Sequence, residues 1–177
     1  MQMFKFIFYL NVQKLWNGFN QPHRISKNPI HNDDIIYTPD VIVFKTDTAF
    51  PCIIDEADWY AVNIVTYAAP NLRDCPSNMF NTGDGNKAIK VSNEELQRIH
   101  EKRLRRILDL AVMNGNEAVI LGAFGCGAFA NNPEVVAKAA KNVIKEYIYA
   151  FEVIEFAVYC SPKDERNYQI FNRVILK

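Results

Sequence analysis

The stretch "GAFGCGAFANNPE" (122–134) places three of the chain's seven glycines within six residues. Gly122, Gly125 and Gly127 carry no β-carbon, so the chain there can turn through positive φ and let a ligand touch the main chain. Several N–H groups can then converge on an anion, and a helix starting just after the loop adds its positive end. A phosphate or diphosphate suits that chemistry. A tight strand-to-helix turn with no ligand is the plainer alternative. Cys126 raises a second possibility, since a thiol near a helix N-terminus is acidified and becomes nucleophilic. The only bases on offer are His23, His31 and His100, and nothing in the sequence brings one of them close. Cys126 is therefore read as a small residue packed beneath the loop.

The elements that must position this loop are legible on both sides of it. "EAVIL" before it is a short apolar strand, and "PEVVAKAAKNVIKEYIY" after it has helical periodicity, with Asn132 as N-cap and Pro133 in the first turn. Val135, Val136, Ala139, Ala140, Val143, Ile144 and Tyr147 form its apolar stripe. The clearest helix is "SNEELQRIHEKRLRRILDLAVMNGN", where Ser92 and Glu95 have capping-box spacing and Gly115 supplies the stop. Leu96, Ile99, Leu104, Ile107, Leu108 and Ala111 mark its buried side, and Lys102, Arg105 and Arg106 of "KRLRR" its solvated side. "IIYTPDVIVFK" reads as an edge strand broken at Pro39, and "YAVNIVTYAAP" as a buried central strand. Residues 11–33 and 71–91 are rich in turn signals and read as loops. "VIEFAVY" and a helix over roughly 164–176 close the chain. Alternating strands and helices predict an α/β domain with a mostly parallel central sheet, covered on both faces in a three-layer α/β/α arrangement.

Composition narrows the partners. Twenty basic residues balance twenty acidic ones, without the positive excess of a nucleic-acid binder. Cys52, Cys75, Cys126 and Cys160 show neither a C-x-x-C pair nor metal-ligand spacing, and read as reduced thiols of a cytoplasmic protein. "MQMFKFIFYL" is too short to span a membrane and reads as a first strand or a surface-packed segment. No cofactor or metal is implied. "GCGAFA" satisfies the letter of the dinucleotide fingerprint G-x-G-x-x-G/A, but that fingerprint opens a sheet with several strands still to come, whereas only one strand follows here. No G-K-[ST] is present, which removes a P-loop.

"LGAFGCGAFANNPEVVAKAAKNVI" resembles the diphosphate loop and following helix of the microbial-type poly(ADP-ribose) glycohydrolases, a branch of the macrodomain family. "IIYTPDVIVFK" and "VNIVTYAAPNL" resemble two further stretches of that family, and "FAVYCSPKDERNYQIFNRVI" is similar to the closing strand and helix of macrodomains. The resemblance covers residues 34–177, roughly four-fifths of a chain read as one domain, and leaves 1–33 as a divergent segment. It implies a pocket for ADP-ribose or an ADP-ribosylated protein. Gly125, Cys126, Gly127 and Ala128 would cradle the diphosphate within the run Gly122, Ala123, Phe124 to Phe129. Phe129 would meet the distal ribose, Tyr159 the adenine, and Asn71 would add a polar contact.

The resemblance stops short of the family's chemistry, which lies in a glycine-rich segment followed by a Gln-Glu-Glu triplet. A carboxyl group is needed there to protonate the leaving oxygen as oxocarbenium character develops. Gly18 is the only glycine before Gly83, and Q-E-E occurs nowhere. The pairs Asp55–Glu56 and Glu94–Glu95 read as solvated charges. The expectation is a binding domain without efficient hydrolysis. Two alternatives stay open: an active hydrolase whose site is rebuilt from His31, Asp33 and Asp34, and a Rossmann-like dinucleotide protein.

Overall fold

The structure, a computed structural model, describes residues 15–79, 82–161 and 163–176. The segment "MQMFKFIFYL", read above as a possible first strand, lies outside them. Two compact units divide the chain, Met1–Ser26 with Asp34–Tyr67, and Lys27–Asp33 with Ala68–Lys177.

In the first unit a π-helical turn, Trp16–Asn20, leads into the short helix α1 (Gln21–Ser26). The sequence reading had a loop here. Pro22 falls in the first turn of α1, where its missing N–H costs nothing, and the Phe19 and His23 rings meet at 4.6 Å across one turn. Strands β1 (Ile35–Val43) and β2 (Tyr60–Tyr67) pair from Ile35↔Tyr67 to Val43↔Tyr60. The break foreseen at Pro39 is a β-bulge. Pro39 and Asp40 stand opposite Asn63 alone, and Asp40, at φ 54°, donates its N–H to Asn63 Oδ1 (3.1 Å). The pair is antiparallel, not parallel as expected, because residues 44–59 carry only the 3₁₀ turn Glu56–Asp58 and no crossover helix. Nor is β2 buried throughout, since Tyr60, Ala61 and Asn63 are exposed.

The second unit carries α2 (Asn93–Met113), β3 (Ala118–Leu121), α3 (Pro133–Ile144), β4 (Val153–Phe156) and α4 (Arg166–Leu176). Here the pairing is parallel, Ala118↔Val153 to Leu121↔Phe156, with α3 as the crossover. Val119, Leu121, Ile154 and Phe156 share one face, which packs on Leu108 and Ala111 of α2 and Val143 of α3. Phe171 of α4 joins through Phe156, Val136 and Ala137. Ala118, Ile120, Val153 and Glu155 on the other face are exposed. Helix α3 and strand β4 both end sooner than their apolar patterns, at Ile144 and Phe156. Tyr147 still reaches the core cluster, from a turn, with its hydroxyl on Asp109 (2.5 Å).

Helix α2 begins at Ser92, whose Oγ accepts the Glu95 N–H (3.1 Å). The Glu95 carboxylate does not complete the box but pairs with Arg98. At the other end Gly115, at φ 67°, donates to Val112 O and Asn116 to Ala111 O, a Schellman stop. The buried stripe contains Leu96, Leu108 and Ala111 as expected, and also His100 and Arg103. Arg103 is 2% exposed. Its guanidinium donates to Ala68 O (3.0 Å) and Ile30 O (2.8 Å) and lies beside Asp33, which Lys102 also engages. Arg105 is held by Glu146 (2.7 Å), so "KRLRR" is largely committed to intramolecular partners. His100 Nε2–H donates to Asn131 Oδ1 (2.8 Å), and burial pushes its pKa down to about 4.

Replacing Arg103 by Ala deprives the part-buried Ala68 and Ile30 carbonyls of their donor, and should cost about 3 kcal/mol in urea unfolding. Imidazole in the unfolded chain titrates near 6.5, so the stability that neutral His100 contributes is complete above that pH and lost as pH falls towards 4. The loss should be on the order of 3 kcal/mol. Urea midpoints at pH 7.5 and 4.5 should differ less in His100→Gln than in the parent.

Candidate functional site

Because β3 and β4 run parallel, their carboxyl ends lie together, and Ala157 N–H donates to Leu121 O (2.8 Å) just beyond them. The glycine loop leaves β3 at that point and residues 157–160 leave β4. Tyr159 is there, 87% exposed. At the far end of the loop Asn132 caps α3, its Oδ1 accepting the Glu134 N–H (3.1 Å), with Pro133 in the first turn.

The loop is folded around the side chain of Asn131, which is 2% exposed. Its Nδ2 donates to Pro70 O (2.6 Å), Gly125 O (3.1 Å) and Phe129 O (3.1 Å), and its own N–H also reaches Gly125 O (3.0 Å). Its Oδ1 takes the proton of His100 Nε2. Gly125 has φ 78°, and a β-carbon there would lie 2.7 Å from the Ala69 Cβ and 2.8 Å from Asn131 Nδ2. Only glycine satisfies both constraints. Ala130, next to Asn131, is held at φ 56° without that freedom.

This folding separates the two ends of the peptide dipoles. The carbonyls of Gly122, Ala123, Gly125, Gly127 and Phe129 each accept a backbone N–H, from Phe124, Cys126, Asn131, Ala130 and Leu72 respectively. The Cys126 carbonyl is approached by Asn167 Nδ2 (3.5 Å). Among the described residues, by contrast, the N–H groups of Ala123, Gly125, Gly127, Ala128 and Phe129 donate to no protein acceptor. Gly127 and Ala128 are exposed, and nothing lies within 4 Å of where a Gly127 β-carbon would stand. A loop with most of its oxygens engaged and five of its amides available presents positive potential without any charged side chain.

Cys126 is not part of that surface. It packs with Val136, Ala137 and Phe171, and burial raises its thiol to about 12, which keeps it protonated. That agrees with its reading as a residue beneath the loop. The cysteines at 52, 75 and 160 are exposed.

Phe129 is part-buried, its ring stacked with His31 (6.0 Å) and overlaid by Arg73 (5.8 Å). Arg73 is fixed by Asn71 Oδ1 (3.0 Å) and Pro76 O (2.6 Å). Asn71 is fully buried and donates to Asp84 (2.6 Å), so it serves the frame of the 71–91 loop. The carboxylates that might rebuild a catalytic group go separate ways. Asp33 pairs with Lys102 and Arg103, Asp34 with His23 (3.0 Å), and His31 lies 3.7 Å from Asp84. Asp55, Glu56, Glu94 and Glu95 are exposed. Among the described residues no three His, Cys, Asp or Glu side chains are placed to hold a metal ion, and no helix is long and apolar enough to cross a membrane.

Several solved structures are similar to the chain in overall fold. The poly(ADP-ribose) glycohydrolase of Thermomonospora curvata matches with a TM-score of 0.75 and 26% identity, over 92% of this chain and 54% of that one. The same protein bound to the inhibitor ADP-HPD matches with 0.75 and 26%, over 91% and 56%. The Deinococcus radiodurans enzyme in complex with ADP-ribose matches with 0.65 and 26%, over 87% and 57%. The chain thus spans about half the length of these structures. No protein-family model and no curated protein sequence matches it. In fold, the chain resembles these microbial poly(ADP-ribose) glycohydrolase structures over about half of their length, and its sequence contains no Gln-Glu-Glu triplet.

Proposed function

We propose that this chain binds ADP-ribose, free or attached to protein, through the main-chain amides of its glycine loop, and that alone it hydrolyses poly(ADP-ribose) poorly. The observation that carries the reading is the loop's asymmetry, with most carbonyls engaged by the protein and the N–H groups of Gly125, Gly127 and Ala128 left available. A diphosphate takes such donors as charge-assisted hydrogen bonds, which are stronger than neutral ones. The N–H of Cys126 is already given to Ala123 O, so the part first assigned to Cys126 falls to its neighbours. Gly122, Ala123 and Phe124 frame the cradle, Phe129 faces the distal ribose and Tyr159 the adenine. The exposed flat ring of Tyr159 suits stacking.

Weak hydrolysis is supported by the carboxylates. Glycoside cleavage needs a carboxylic acid able to protonate the leaving oxygen. Asp33 is held in ion pairs and Asp84 is buried against Asn71, while no Gln-Glu-Glu triplet exists to supply another acid.

Calorimetric titration should show ADP-ribose binding more tightly than NAD or AMP. In Gly127→Glu, which the open space at that position accommodates, affinity should fall at least about tenfold through lost volume and charge repulsion. A well-folded parent that ignores ADP-ribose, or prefers NAD, ends the proposal. Turnover of poly(ADP-ribose) that disappears in Asp33→Asn or Asp34→Asn would overturn its second half. Under native conditions iodoacetamide should modify Cys52, Cys75 and Cys160, and should reach Cys126 only after unfolding, as mass spectrometry would read.

A further inference from the structure

We propose that Asn131 and His100 are the positioning residues of the anion site: the Asn131 carboxamide, oriented by His100, pins loop carbonyls inward and so leaves the loop amides facing the ligand. This rests on the reading of the loop as an ADP-ribose site.

A peptide loop carries a carbonyl for nearly every N–H, and an anion is repelled by the one as it is attracted by the other. A cradle therefore needs something to gather the oxygens. Asn131 Nδ2 does this for Pro70, Gly125 and Phe129, tying both ends of the glycine turn to the segment that follows β2 in sequence. The approach is tight, since a β-carbon at Gly125 would stand 2.9 Å from Asn131 Cγ. Without these donors the carbonyls must find others, and turning the Gly125 or Phe129 peptide plane to do so changes the torsions on either side of it, which also aim the neighbouring N–H groups of Gly125, Gly127 and Ala128.

His100 acts at one remove. An amide turned over by 180° would aim its oxygen at three carbonyl oxygens, so only one orientation is satisfied, and the proton on His100 Nε2 selects it (2.8 Å). The imidazole is itself seated edge-on to the Phe124 ring (5.6 Å), which belongs to the same loop. The same pair offsets the left-handed backbone of Ala130, a conformation a non-glycine residue keeps only where its surroundings fix it.

The test uses the whole chain at pH 7.5, reading the amide resonances of Gly125, Gly127 and Ala128 before and during ADP-ribose titration. Asn131→Ala and His100→Phe should each displace these resonances in the unliganded protein and weaken ADP-ribose at least about tenfold. His100→Gln, which keeps a donor for Asn131 Oδ1, should stay within about threefold of the parent. Leu108→Ala, a core cavity in the α2–β3 cluster, should lower stability yet leave affinity within about twofold. Folded Asn131→Ala or His100→Phe with parental affinity and unmoved amides overturns the proposal. If Asn131→Ala does not fold, the contrast between His100→Phe and His100→Gln decides. Should the parent itself fail to bind ADP-ribose, the functional reading falls separately. Positioning is then judged on the unliganded resonances, supported by displacement confined to the Asn131 and His100→Phe variants and overturned by its absence.

Discussion

A carboxamide withdrawn from water must satisfy its hydrogens and its oxygen within the protein, and the Asn131 side chain does so with groups from four places in the sequence. Pro70, Gly125, Phe129 and His100 converge on it, and the course of the chain through 122–132 follows from that convergence. The magnitudes decide the issue locally. A buried polar group left unsatisfied costs about 1–3 kcal/mol, whereas a left-handed alanine costs about 1–2 kcal/mol. Several carbonyls depend on one amide here, so the hydrogen bonds prevail over the strain at Ala130.

Helix α2 divides its buried stripe between two tasks. Towards its C-terminus the stripe is apolar, and Leu108 and Ala111 pack on β3. Between Leu96 and that apolar part the buried positions are His100 and Arg103, one reaching the glycine loop and the other the backbone at Ile30 and Ala68. An arginine fits the second task because its planar fork serves several oxygens at once. The price of such a design is acid sensitivity at His100, whose neutral form the burial demands.

The sequence made the second unit legible and the first much less so. Periodicity located α2, β3, α3, β4 and α4, and capping residues fixed the starts of α2 and α3, because each signal acts over three or four residues. The antiparallel pairing of β1 and β2 was not legible. An apolar run such as "YAVNIVTYAAP" looks the same whether its neighbour runs with it or against it. In the site, the glycines announced a loop that a ligand could approach, and burial of Cys126 followed from its small apolar character. Asn131, His100 and Arg103 were missed. Their types point to surface or turn, and only contacts across tens of residues reveal them as buried. The dipeptide Asn131-Asn132 holds the one available hint, two adjacent asparagines of which only the second is needed to cap the helix.

Availability of amides rather than side chains has an evolutionary meaning. Every residue has a backbone N–H except proline, so the letters at Ala123 or Ala128 can drift while the donors stay in place. The geometry rests on a torsion angle at Gly125, the buried Asn131 carboxamide and the His100 proton that meets its oxygen. A pocket built in this way is inherited as geometry. Such geometry can therefore stay the same in three dimensions while the letters that encode it change.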